Sequence, residues 1–220
     1  MSIQTVIDNA QSITIDRRKL AGQTVSRSGQ VKISSVASNV PWMFTVKMHP
    51  ATQWSTNRSL FEEIDRLDRI FEEEIDIGTT NTNLSYITAY QGDFTPTQLN
   101  QVKIDSGSAL NVVANVSTVA GTTSGDYVFK KGDLFKLSGT YRYPYTVTAD
   151  VTRGVGNTIN VPINRPFINQ AGYTEAGAGI VVGSAVTWRV VMTKKPSYTI
   201  VPYDRAVFDG SFELVEVIED

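Results

Sequence analysis

The sequence contains no cysteine and a single histidine, His49, and both shortages exclude chemistry. Without cysteine there is no disulfide, no thiol nucleophile, no zinc–thiolate site and no iron–sulfur cluster. One histidine leaves no His pair for a metal and at most one imidazole base. Charge is sparse and balanced: 20 basic against 22 acidic residues, with charged residues at only 19% of the 220. An electrostatic nucleic-acid binder carries a basic excess that is missing here, so no nucleic-acid recognition is expected. No apolar run reaches the ~18 residues that a bilayer-spanning helix requires; the longest, such as Gly179 to Val182, are strand-sized. The first residues carry an early acid, Asp8, and no basic region ahead of an apolar one, unlike a secretory signal. The expectation is a soluble chain without membrane insertion, made and assembled in a cytoplasm.

What the chain has in abundance is branched side chains. Val, Ile and Thr supply 66 residues, 30% of the total, and they dominate everything outside one segment. Branched Cβ atoms fit a pleated sheet and lose rotamer freedom in a helix, so a mainly β fold is expected. Ile13 and Ile15, then Val25, Val31, Ile33 and Val36 alternate, with turns expected at Ala21-Gly22 and Ser28-Gly29. Trp42, Phe44 and Val46 alternate with Met43, Thr45 and Lys47 in a strand that Pro41 opens. The exception is 56–75, where Leu60, Ile64, Leu67 and Phe71 recur at helical spacing, widened by Phe61, Ile70 and Ile75. Ser59 with Glu62, or Asn57, reads as its cap, and Glu62–Arg66 and Asp65–Arg69 as its i,i+4 pairs.

From Leu84 onward short strands resume between turns. They are expected at Leu84 to Ala89, around Val102 and Ile104, from Leu110 to Val116, at Leu134 to Leu137, at Tyr145 to Val151, and at Thr158 to Ile163. A strand pair around Gly183-Ser184 and a last strand over Phe212 to Val217 follow. The dense middle describes a small barrel or sandwich. The expected organisation is a discontinuous β-sandwich-like domain, 1–92 with 196–220, holding a barrel of OB type at 93–195.

No motif carries catalysis. His49 reads as a surface residue at a strand end. The acids Glu72, Glu73 and Glu74, read as helical, point about 100° apart and cannot converge on one ion. Gly177, Gly179 and Gly183 lack the spacing and the strand–helix context of a nucleotide loop. Ser28 sits in a turn, not on a nucleophile elbow. A through-space carboxylate pair, as in a hydrolase, has no pointer in the sequence. Tyr141, Tyr143 and Tyr145 alternate around Arg142, the pattern either of ordinary sheet packing or of a surface that stacks on a base or a sugar.

The order of segments resembles a known family. Lys131-Gly132-Asp133-Leu134-Phe135-Lys136-Leu137, then Tyr145 to Val151, then Val161-Pro162-Ile163-Asn164-Arg165-Pro166 look like the barrel module of tailed-phage tail proteins. Thr24 to Gln30, Pro41 to Val46 and Trp54…Arg58…Leu60 to Asp65 are similar to the same family, the distal tail proteins of the baseplate hub. The loop from Asn169 to Gly179 has no counterpart in that pattern. The resemblance implies a non-enzymatic structural protein of the virion tail, without cofactor. It implies a hexameric ring that joins the tail tube to the hub and to other baseplate or fibre proteins. Arg27, Trp42, Trp54, Tyr141 and Tyr143 are the candidate contacts to neighbouring subunits or partners. The alternative is a carbohydrate-binding module whose barrel tyrosines contact a host-surface glycan.

Overall fold

Strand pairing between the two ends of the chain organises the fold. The computed structural model describes residues 3–17, 20–25, 31–37, 41–49, 52–67 and 71–219. Strands hold 40% of it and helices 17%, so the mainly β class expected from the branched side chains is found. The first part runs α1 (Ile3–Asp8), β1 (Ala10–Asp16), β2 (Leu20–Val25), β3 (Val31–Ala37), β4 (Met43–Met48), β5 (Thr52–Gln53), α2 (Trp54–Leu67) and β6 (Glu72–Asp76). After a 3-10 helix at Thr82–Ile87 come α3 (Pro96–Leu99), β7 (Lys103–Ser108), β8 (Asn111–Asn115), β9 (Tyr127–Phe129), β10 (Leu134–Leu137), β11 (Pro144–Thr146), β12 (Val151–Thr152) and β13 (Thr158–Pro162). The last part holds β14 (Ile180–Val182), β15 (Thr187–Lys194), β16 (Ser197–Val201), β17 (Arg205–Asp209) and β18 (Phe212–Glu216).

Five strands form one antiparallel sheet in the order β1-β4-β18-β15-β6. Strand β4 shows why: Phe44, Val46 and Met48 are buried while Met43, Thr45 and Lys47 are exposed, as its alternation requires. Strands β15 and β18 match it, with Trp188, Val190 and Met192 on one and Phe212 and Leu214 on the other. Trp42, Phe44 and Trp188 meet at ring separations of 5.5 to 6.3 Å. With Ile3, Val6 and Ile7 of α1 and Leu60 and Ile64 of α2 they make the first core.

A second core fills a barrel. Strands β13-β8-β7 form one wall and β11-β10-β14 another. The Val147–Ile163 bridge and the Asn164 N to Thr146 O bond (3.0 Å) join β13 to β11 on one side. On the other, Ile104 donates to Ala178 (2.8 Å) and Gly177 to Ile104 (2.7 Å), so the approach to β14 pairs with β7 and the circuit closes. Inside lie Ile104, Val112, Val128, Phe129, Phe135, Leu137, Tyr145, Val161 and Ile180.

The two cores share a wall. All four residues of β10 are buried. Phe135 and Leu137 face the barrel, whereas Leu134 belongs to the sheet core and Lys136 donates from Nζ to Thr187 Oγ1 of β15. Period-2 alternation gives one strand two apolar duties.

Several expectations are corrected. The helix expected over 56–75 runs from Trp54 to Leu67, and Glu72–Asp76 is strand β6, held by β15 through the Trp188–Ile75 and Val190–Glu73 pairs. Those three acids are therefore strand residues and not a helix end. Phe71 is exposed, and the Arg66 guanidinium lies 5.4 Å from its ring centroid. Ser59 and Asn57 lie inside the helix, and the cap comes from Asp204 in the β16–β17 turn. Its carbonyl accepts from Trp54 N (3.0 Å), and its carboxylate accepts from Ser55 N (2.8 Å) and Ser55 Oγ. Tyr203 and Asp204 take left-handed backbone angles, φ 68° and 60°, to make that turn. Glu63, not Glu62, pairs with Arg66, and Asp65 pairs with Lys195; Arg69 and Ile70 fall outside the described residues. The segment Leu84 to Ala89 is mostly the 3-10 helix, and Gly22 lies within β2 at a register shift instead of in a turn. The strand expected over Tyr145 to Val151 is two separate strands, β11 and β12. Strands β14 and β15 do not pair with each other but part at Gly183 into different sheets. Strand β15 lies within the 93–195 span yet pairs in the five-stranded sheet.

Candidate functional site

The junction between sheet and barrel is built around a buried ion pair. Strand β18 turns Phe212, Leu214 and Glu216 to the interior, so a carboxylate stands at its last inward position. Arg165, just past β13, meets it with two bonds, Nη1 to Oε2 at 2.6 Å and Nη2 to Oε1 at 2.7 Å. The same Nη2 donates to Pro144 O (2.8 Å), Glu216 Oε2 accepts from Trp42 N (3.1 Å), and the guanidinium lies 5.5 Å from the Tyr145 ring centroid. Both residues are 3% exposed, so desolvation is offset only because bidentate geometry and extra donors satisfy the carboxylate. Burial pushes the Tyr145 hydroxyl up to about 12, and this oxygen accepts from Ile168 N at 3.0 Å.

A second, open group lies at the C-terminal end of the chain. Glu219 pairs with Arg142 from the barrel and with Arg189 from β15, and Arg189 also pairs with Glu72 of β6. Beside it is a cleft of about 560 Å³ lined by Arg142, Tyr143, Gln170, Tyr173 and Glu219, among others. Tyr141 packs against Tyr173 with ring centroids 5.6 Å apart. Among the described residues the Tyr141 hydroxyl and Gln170 Oε1 are buried without a hydrogen-bond partner, the kind of polar atom that a ligand or water satisfies.

The expected contact residues are distributed, not gathered. Trp42 and Tyr143 are buried at 2% and 3% exposure, Trp42 in the sheet core and Tyr143 in the barrel core. The Tyr143 hydroxyl accepts from Glu219 N (3.0 Å) and donates to Glu219 O (3.3 Å). Their own fold accounts for both side chains. Trp54 is half-buried, packed against Phe61 (5.0 Å) and Tyr198 (5.8 Å), and Tyr141 is half-buried against Tyr173 of the cleft lining. Arg27 and Ser28 lie outside the described residues. His49 is exposed at the end of β4. Sequence reasoning passed over Arg165 and Glu216, although an acid in step with Phe212 and Leu214 was a readable signal. It also passed over Tyr203, 95% exposed at the tip of the β16–β17 hairpin beside the half-exposed Ile200.

The sheet edges differ. Along β6 the Gln4 side chain imitates a missing strand, accepting from Asp76 N (2.8 Å) and donating to Asp76 O (3.1 Å), while Ile3 N donates to Glu73 (2.6 Å). Helix α1 thus covers that edge. Strand β1 pairs only with β4 among the described residues, and β2 and β3 pair only with each other. No three His, Asp or Glu side chains among the described residues gather as a metal-binding group. No protein-family model matches the sequence, and no curated protein matches it.

Proposed function

We propose that this chain is a non-enzymatic structural component of a phage tail, a baseplate protein of the virion that assembles with copies of itself, typically six, into a ring. The ring joins the tail tube to the hub and to peripheral baseplate or fibre proteins. The observation that carries this reading is the β2–β3 hairpin, which adds to no sheet of its own chain among the described residues. A two-stranded hairpin is marginally stable by itself in water and gains most by docking. Among the described residues β1, directly before it in sequence, pairs only with β4, so its other edge can take a neighbour's strand. A heterologous contact of this kind, repeated around an axis, closes into a ring. The order of strands, helix, barrel and returning strand supports the same reading through its resemblance to distal tail proteins. Electron microscopy of the purified chain tests it: rings with a central hole are expected, and a chain that stays monomeric at high concentration and ignores tail proteins contradicts it.

A second reading, glycan binding by the barrel, is favoured by the cleft lined by Tyr143, Gln170 and Tyr173, with Tyr141 packed against Tyr173. Stacking with a few fixed polar groups is how such clefts hold small polar ligands. Glycan-array binding that disappears in Tyr141→Ala supports it, and a silent array removes it.

A further inference from the structure

Where β1 leaves the sheet, Arg17 crosses to the barrel. Its Nη1 donates to Thr146 Oγ1 at 2.7 Å, and its guanidinium carbon lies 5.1 Å from the Trp42 ring centroid. These contacts fix the head group while one flank of the residue stays exposed to solvent. Among the described residues no carboxylate pairs with it; desolvation alone acts on its pKa, which it lowers. Arg17 lines a pocket of about 430 Å³ together with Lys131, Gly132, Thr146, Thr148 and Asn164, and no acid lines it among the described residues.

The other polar side chains of this lining can each donate. Asn164 Oδ1 accepts from Thr146 N at 2.8 Å, which assigns the amide orientation and leaves its NH2 to offer. The Lys131 ammonium forms no ion pair among the described residues; the nearby Asp150 instead accepts from the Lys131 backbone N–H at 2.8 Å. Thr148 donates its backbone N–H to Pro162 (3.0 Å), and its hydroxyl is free to donate further. A guanidinium fixed by packing, an ammonium, an amide and a hydroxyl facing one concavity form a complement to an oxyanion, for which arginine's planar fork is suited.

We infer that this pocket, at the seam between sheet and barrel, binds a single oxyanionic group, a phosphate or a carboxylate, with Arg17 as its anchor. The assignment does not depend on the assembly reading. Two charge-assisted contacts correspond to a dissociation constant of about 1 mM.

The test is a two-dimensional NMR titration of the full chain at constant ionic strength, with inorganic phosphate in one arm and acetate in the other. Saturable shifts are expected at the Arg17 Nε–H and the Asn164 side-chain amide. Arg17→Gln weakens binding at least ~10-fold, and Lys131→Gln, on an exposed turn where folding is not at risk, weakens it by about 3-fold. Phosphate binding tighter than acetate assigns the site to a tetrahedral dianion, and equal binding assigns it to a carboxylate such as an acidic side chain. Absence of saturable shifts in both arms overturns the inference. So do equal titrations of wild type, Arg17→Gln and Lys131→Gln, which mark a general salt effect.

Discussion

The two cores are put together in opposite ways. The barrel core is drawn from one uninterrupted stretch, Phe94 to Ile180, whereas the sheet core joins Ile3 to Leu84 with Val186 to Leu214 and adds Leu134 of β10 from within the barrel stretch. Bringing β4 against β18 closes a loop that spans most of the chain, and the Trp42–Glu216 bonds join residues 174 positions apart. Loop-closure cost grows slowly with length, and a folded barrel inside the loop removes most of its free length. The barrel therefore depends mainly on its own side chains, and the sheet depends on the barrel. The wall that enforces this dependence is β10, with Arg165 and Glu216 as its bolt.

Breaking that bolt has the largest expected effect. Glu216→Ala or Arg165→Ala leaves an uncompensated buried charge and costs about 3–5 kcal/mol. The double change Arg165→Met with Glu216→Leu restores most of it, because packed apolar groups carry no desolvation penalty. Urea unfolding followed by Trp fluorescence, which reports on the sheet through Trp42 and Trp188, measures both. Next is Tyr145→Phe, which keeps the ring under Arg165 but strands the buried Ile168 N–H, at about 1–3 kcal/mol. Hydrogen exchange should show this loss first at barrel amides and only then in the sheet.

Lys136 sharpens the comparison from the shared wall. Burial lowers its pKa below 10.5, with Glu74 opposing the shift. The unfolded chain then binds the proton more readily than the folded one, so this residue costs stability at neutral pH. The cost disappears as pH rises through the lowered folded value towards 10.5. Lys136→Met should stabilise the protein by about 1 kcal/mol at pH 7 and flatten that rise. Unfolding midpoints measured between pH 7 and 10.5 decide it. The smallest effect is expected at the covered edge: Gln4→Ala removes the strand-like bonds to Asp76, costs about 1 kcal/mol, and speeds exchange of the Asp76 amide.

Local chemistry was legible, and distant partners were not. The alternation through Trp42, Phe44 and Val46 named strand β4 and its inward face, because a strand's periodicity is written in the strand itself. Leu60, Phe61 and Ile64 likewise named the buried face of α2. Its end was not readable, because Ile75 continues a helical spacing while β15, more than a hundred residues later, recruits Glu72–Asp76 as a strand. The cap was hidden for the same reason: Ser59 and Asn57 are good local candidates, and Asp204 arrives from the far end of the chain. Tyr143 carried an interface signal by type, yet its hydroxyl is committed to Glu219 within the same chain. At the junction, Arg165 and Glu216 are each an oddity in an apolar context, and only the fold makes them a pair.

Assembly through the β2–β3 hairpin, which joins no further strand among the described residues, is the central claim, and its geometry allows a clean test. Asp16 pairs directly with Met43, so 18–40 can be replaced by a short glycine-rich turn without altering the β1–β4 register. Native mass spectrometry of the full chain and of this shortened chain should give six copies for the first and a folded single copy for the second. A full chain that stays a single copy, or a shortened chain that still forms the same ring, contradicts the account.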